Sequence, residues 1–189
     1  VVLANDAFLF MLAWELMSLS SYFLVVFHHE NAADRRAGFL YLLMAHVGGL
    51  VILLGYGVLA TFGDGFGFDA MRAAELSPLW ASVAFGLAFV GFGMKAGLVP
   101  LHAWLPEAHP VAPSHISALM SGVMLKVAVY GFVRVTFDLL GDVHWTWGVT
   151  ALLTGGVSGL LGILYAMKQT DMKRLLAYSS IENSGVIFL

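Results

Sequence analysis

A chain of 189 residues that is 60% hydrophobic and only 11% charged stands apart from soluble domains, which carry about 25% charged residues, and its mean hydropathy of +0.86 points to a polytopic α-helical membrane protein. A net charge of −3 offers no basic field to nucleic acid or to an anionic surface, so nucleic acid is excluded as a partner and the lipid bilayer is the expected solvent. The absence of cysteine excludes disulfides, thiolate-held iron–sulfur clusters and Cys-ligated zinc, so no cofactor is expected in this segment.

Apolar blocks near the ~20 residues that cross a bilayer core follow one another along the chain, too long for strands and without their period-two alternation. The first covers about 7–27 and ends at the polar stretch 28–36. The second, about 38–62, closes in an acidic segment where Gly63, Gly65 and Gly67 break helix. The third starts at Pro78, a favoured first-turn residue, and runs through Lys95 into a proline-studded stretch, giving a broken span over about 78–112. A fourth covers about 114–137, a fifth about 145–167, and a sixth, 175–189, is cut short. The start at Val1, with no Met or basic leader, and the stop at Leu189 inside an apolar run read as an internal fragment of one membrane domain. Arg35, Arg36, Lys168, Lys173 and Arg174 fall on one side of the membrane, whereas Arg72 lies on the other with Arg134 near a helix end. The positive-inside bias makes the first side cytoplasmic.

Several ionisable residues interrupt these apolar runs. Glu15 is near the middle of the first span and shares a helical face with Ser18 and Tyr22; an acid at that depth costs about 2.5–3.5 kcal/mol and marks a functional site by default. Lys126 is central in the fourth span, too deep for its stem to reach an interface easily, and a buried lysine can be tuned to gain and lose a proton near neutral pH. Lys95 lies in a Gly-rich run five residues before Pro100, where a broken membrane helix would leave backbone groups lining a cavity, as at the ion sites of transporters. A lysine reaching for headgroups is the competing reading there.

His46, deep in the second span, is a relay candidate. His102, His109 and His115 gather with Glu107 around the break; the thirteen-residue spread from His102 to His115 fits no compact zinc motif, so no metal is expected and proton relay or hydrogen bonding is the reading. Glu182, about two turns into the last apolar run, suggests a water-lined path. His28, His29 and His144 read as loop residues.

The run GMKAGLVPLHAWLPEAHPVAPSHISALMSGVMLK, residues 93–126, resembles the signature of the antiporter-like membrane subunits shared by respiratory complex I, membrane-bound hydrogenases and multisubunit sodium/proton antiporters. WELMSLSSYFLV (14–25) and TDMKRLLAYSSIENSG (170–185) resemble further blocks of that family in the same order. The resemblance implies an all-α bundle of about fourteen helices in inverted repeats, each with a discontinuous helix, of which this chain would cover about two fifths. It implies that Glu15 and Lys95 match the acid and lysine pair of the first half-channel, and that Lys126 matches the central lysine that passes protons onward. The second half-channel would lie beyond Leu189. Where complex I members usually read Ser-His, this chain has Glu182 and Asn183, which is similar to the large membrane subunit of hydrogenase-4 and formate hydrogenlyase complexes; Asn183 cannot titrate as a histidine would.

The function implied is proton translocation through buried Glu/Lys half-channels in a subunit of a redox-driven complex. The chain itself would hold no redox centre, and its partners would be other membrane subunits and a peripheral redox arm, in a bacterial or archaeal inner membrane. Two charges 4 Å apart interact by about 4 kcal/mol at an effective dielectric of 20, so disturbing the Glu15 and Lys95 pair would change the field at Lys126. A sodium/proton antiporter component is the alternative. An assembly scaffold held by its charges is a third reading, and a self-contained redox enzyme is disfavoured by the lack of Cys clusters and of a Gly-rich dinucleotide loop.

Overall fold

A computed structural model describes residues 1–189 and is helical throughout, apart from one isolated bridge between Asp6 and Gly67. The helices are α1 (Ala7–Val25), α2 (Ala32–Phe62), α3 (Phe68–Arg72), α4 (Pro78–Ala96), α5 (Leu105–Val111), α6 (Ser114–Leu119), α7 (Leu125–Val133), α8 (Trp145–Met167) and α9 (Met172–Ile187). A π turn at Met120–Met124 joins α6 to α7, and a second at Arg134–Leu139 extends α7. Together they form one rod, Ser114–Leu139, of 26 residues.

Local chemistry sets the ends of these helices. The Asp6 carboxylate accepts the Leu9 N–H at 3.0 Å, and Asp171 accepts that of Arg174 at 2.9 Å, so each caps an orphan donor at a helix start. Pro78 supplies the first turn of α4. Helix α2 begins at Ala32, so Asp34, Arg35 and Arg36 lie in its first turns rather than in a loop, with Asp34 at the positive end of the helix dipole. The Arg35 guanidinium donates to the carbonyls of His29 (2.8 Å) and Glu30 (2.9 Å) and ties down the α1–α2 turn. Past the glycines of the α2–α4 connection, a single helical turn, α3, folds back so that Phe68 and Met71 are buried.

Five stretches are long and apolar enough to cross a membrane: Ala7–Val25, Ala32–Phe62, Pro78–Ala96, Ser114–Leu139 and Trp145–Met167. Their outer faces carry large apolar side chains such as Phe8, Leu50 and Leu153. Water would penalise that surface, whereas hydrocarbon does not. The interior holds two apolar clusters. One centres on the aromatic rings of Phe10, Trp14, Tyr56, Phe68 and Phe92, whose neighbours lie 5.4–6.4 Å apart. The other wraps α5, with Tyr41, Trp104, Leu105, Met120 and Ile181.

Close approach of α2 and α4 depends on Gly48 and Gly91: a Cβ on Gly91 would lie 2.9 Å from the Gly48 carbonyl oxygen and 3.0 Å from the Ile52 nitrogen. Helices α8 and α9 form an antiparallel hairpin that is equally tight, since a Cβ on Gly162 would come within 2.6 Å of the Glu182 nitrogen. Small residues at such crossings let membrane helices gain van der Waals contact where no hydrophobic driving force exists.

Candidate functional site: a buried amine at the helix break

Helix α4 stops at Gly97, whose φ of +79° is left-handed and suits glycine. Residues 97–104 then pass through the bundle without α-helix, freeing backbone groups that lipid could not satisfy. Side chains meet several of the groups freed at the break and at the ends of the flanking helices. The Val99 N–H donates to Ser158 Oγ of α8 at 2.9 Å, and the Met94 carbonyl accepts from Trp104 Nε1 at 2.8 Å. At the far end of α5, Lys173 Nζ donates to the carbonyls of Pro110 (3.3 Å) and Ala112 (2.8 Å).

Lys95 is the penultimate residue of α4 and is 3% exposed. Its amine donates to Ser18 Oγ of α1 at 3.1 Å and to the Tyr41 hydroxyl of α2 at 2.9 Å. The amine is also 4.7 Å from the Tyr41 ring centroid and 5.9 Å from that of Trp104, within the range of cation–π attraction. No carboxylate oxygen lies within 4.0 Å of it. The snorkelling reading fails, because the amine points into the bundle.

Glu15 turns the other way. Its carboxylate is 3.8 Å from His46 Nε2 and looks into a groove of about 520 Å³ between α1 and α2, lined chiefly by Leu12, Leu19, Leu50 and Leu53. Gly49 makes room for it, since a Cβ there would strike Glu15 Oε1. The acid and the amine matched as a pair by the sequence therefore have separate immediate partners, with Ser18 one turn from Glu15 on the same helix.

Lys126 is the second residue after the first π turn, at mid-span, but faces outward from this bundle. Leu125 and Ala128 take the inward face of α7, which leaves Lys126 on the same outer strip as Gly122 and Val123. The structure therefore does not bring Lys126 into contact with Lys95 or Glu15.

The residues around the break separate into distinct contacts. His109 is buried, with Nδ1 2.5 Å from Ser117 Oγ and Nε2 2.9 Å from Ser121 Oγ. It lines a polar cavity of about 470 Å³ with Lys173, Ser179, Ser180 and Asn183. Glu107 pairs with Arg174 at 3.0 Å, tying α5 to the start of α9. His102 is half-buried, His115 is exposed, and Glu182 is half-buried on α9 against Gly162. No three His, Asp or Glu side chains converge closely enough to ligate a metal ion.

Sequence reasoning missed Tyr41, Ser21, Trp104, Ser117 and Ser121, which are neutral residues that no charge rule singles out. It also missed Asp138, which takes two hydrogen bonds from the Arg72 guanidinium at 2.7 and 3.0 Å and lies 3.5 Å from Arg134 Nε. Arg134 stacks 4.4 Å over the Phe68 ring, so this cluster clamps α3 to the second π turn.

A lipid-facing helical bundle with a discontinuous helix that seats a buried amine defines a polytopic integral membrane protein with one broken span. Comparison with known proteins gives the family: the profile of the NADH:quinone oxidoreductase/Mrp antiporter, TM family matches residues 4–189, and the chain belongs to it. It is 45% identical over 192 residues to hydrogenase-4 component B of Escherichia coli, matching 100% of this chain and 28% of that protein. It is 34% identical over 192 residues to NAD(P)H-quinone oxidoreductase chain 4-3 of Nostoc sp., again over 100% of this chain and 34% of the other. A subunit in the structure of the Mrp complex from Dietzia sp. superposes with a TM-score of 0.90 at 28% identity, over 99% of this chain and 21% of that one. The chain thus spans about three tenths of the length of the curated relatives it matches.

Proposed function

We propose that the protein carrying this chain is the proton-translocating membrane subunit of a redox-driven complex of the membrane-bound hydrogenase or NADH-quinone oxidoreductase type. The observation that carries this reading is the Lys95 amine, held inside the bundle at a helix break by hydroxyls from two other helices. An ionisable group kept at such cost in a membrane interior is a functional site by default, and the higher identity to a hydrogenase component than to a quinone oxidoreductase chain favours the hydrogenase branch.

In this mechanism Glu15, Lys95 and Lys126 carry the proton. His46 serves Glu15, and the cavity of His109, Ser117 and Ser121 is a relay leading in from the side of Lys173 and Arg174. His102, His115 and Glu107 flank that route, and Glu182 stands beside it on α9. Lys126 faces outward because its exchange partner belongs to protein outside these residues. Other membrane subunits and a peripheral redox arm are the partners, and the loops holding Arg35, Arg36 and Lys168 to Arg174 face the cytoplasm of a bacterial or archaeal inner membrane.

The test is proton pumping by intact complexes carrying Lys126→Ala or Glu15→Gln. Pumping is expected to collapse while assembly persists; normal pumping in a normally assembled complex removes the mechanism. A sodium/proton antiporter subunit is the second reading, favoured by the likeness to the Mrp structure. Proton movement that requires sodium and no electron donor would select it.

A further inference from the structure

With the Lys95 amine charged, the hydrogen bonds around it run in one direction. Ser21 Oγ lies 2.7 Å from the Met17 carbonyl and 2.9 Å from that of Ser18, so its one proton is used within α1. With the charged amine donating to Tyr41, the Tyr41 hydroxyl, 2.5 Å from Ser21 Oγ, is the donor in that contact. Its lone pair is left to accept from Lys95 Nζ at 2.9 Å. The chain runs from Lys95 N–H to Tyr41, from Tyr41 O–H to Ser21, and from Ser21 to the α1 backbone.

Tyr41 is fully buried and its ring is 5.2 Å from that of Trp104, so the hydroxyl cannot swing away. Ser18 Oγ supplies a second neutral acceptor to the same amine. Breaking a buried ion pair is strongly unfavourable when it leaves one charge without partners. Here the amine has partners that are not carboxylates, and Glu15 has His46.

We propose that the Tyr41 hydroxyl is a positioning residue for proton translocation: it holds the Lys95 amine apart from Glu15, so that the two charges separate without either losing its hydrogen-bond partners. The proposal rests on the translocation reading above. It makes the pair a switch with two satisfied arrangements, one with Lys95 on Glu15 and one with Lys95 on Tyr41 and Ser18, of which the structure shows the second.

The experiment uses the intact membrane complex in liposomes and reads protons moved per electron pair, a ratio that changes in packing alone do not move. Tyr41→Phe keeps the ring against Trp104 and over the amine but removes the oxygen. It is expected to assemble and to pass electrons, with the ratio reduced about twofold or more, as one of two acceptors of a buried amine is lost. Ser21→Ala, which removes the oxygen that orients the tyrosine, should lower the ratio as well, and Ser21→Thr should keep it. Should Tyr41→Phe fail to assemble, the two serine variants decide by the same ratio. An unchanged ratio in Tyr41→Phe, or in Ser21→Ala where it must decide, beside a collapsed one in Lys95→Ala overturns the role of Tyr41 and leaves translocation standing. A normal ratio in Lys95→Ala overturns the translocation reading itself.

Discussion

Trp14, Glu15 and Ser18 occupy little more than one turn of α1, yet each meets a different environment. Trp14 packs against Phe10 and Phe92 in the aromatic cluster, Glu15 looks into the α1–α2 groove, and Ser18 accepts from Lys95. Hydropathy and charge make the acid conspicuous in the sequence, and the helical period places Ser18 beside it. Neither tells which helix lies opposite. Lys173 teaches the same lesson: in the sequence it is one of a cluster of basic residues that marks the cytoplasmic side, whereas the structure has it capping the carbonyls of Pro110 and Ala112. Lys173→Met keeps the stem but removes the donors. It should destabilise the folded protein by about 1–2 kcal/mol, at the lower part of the range for charge-assisted hydrogen bonds because the amine is half-exposed. Thermal unfolding in detergent measures the loss, and an unchanged midpoint would show that water replaces the amine.

Elements differ in how plainly the sequence announces them. The break after α4 is legible because Gly93, Gly97 and Pro100 crowd into a run that would otherwise continue as helix. The π turns at Met120–Met124 and Arg134–Leu139 are not legible, since widening one turn by a residue leaves no mark in a segment that is apolar on every side. The start of α2 at Ala32 was hidden for the opposite reason: charges that read as loop are accommodated in its first turns, Asp34 by the helix dipole and Arg35 by the carbonyls of His29 and Glu30. The α2–α4 contact depends on two glycines forty-three residues apart in sequence, and Gly91→Leu tests it. A side chain driven into the Gly48 carbonyl and the Ile52 backbone should cost about 1–3 kcal/mol or more. The expected result is a lower yield of folded protein and a lower unfolding midpoint; a wild-type midpoint would mean that the helices slide apart at no cost.

Taken whole, the molecule has an apolar girdle, a basic rim at the α1–α2 and α8–α9 turns, and at the opposite rim an ion-pair cluster of Arg72, Asp69, Asp138 and Arg134. The proposed orientation puts the first rim in the cytoplasm, and cysteines introduced into these residues, which have none of their own, check it. In whole cells a membrane-impermeant maleimide should label a Glu75→Cys variant and spare Glu30→Cys, both positions being exposed. The reverse pattern would invert the topology, and with it the direction of the proposed His109 relay.

The membrane class, the break and the family were set by the sequence alone, because a lipid solvent dictates long apolar runs and makes each charge within them stand out. What holds Lys95 was decided only by tertiary structure. Its two hydrogen-bond acceptors are 77 and 54 residues away along the chain, and whether a carboxylate or a hydroxyl reaches a buried amine depends on how far each helix is rotated about its axis, a quantity that hydropathy does not encode.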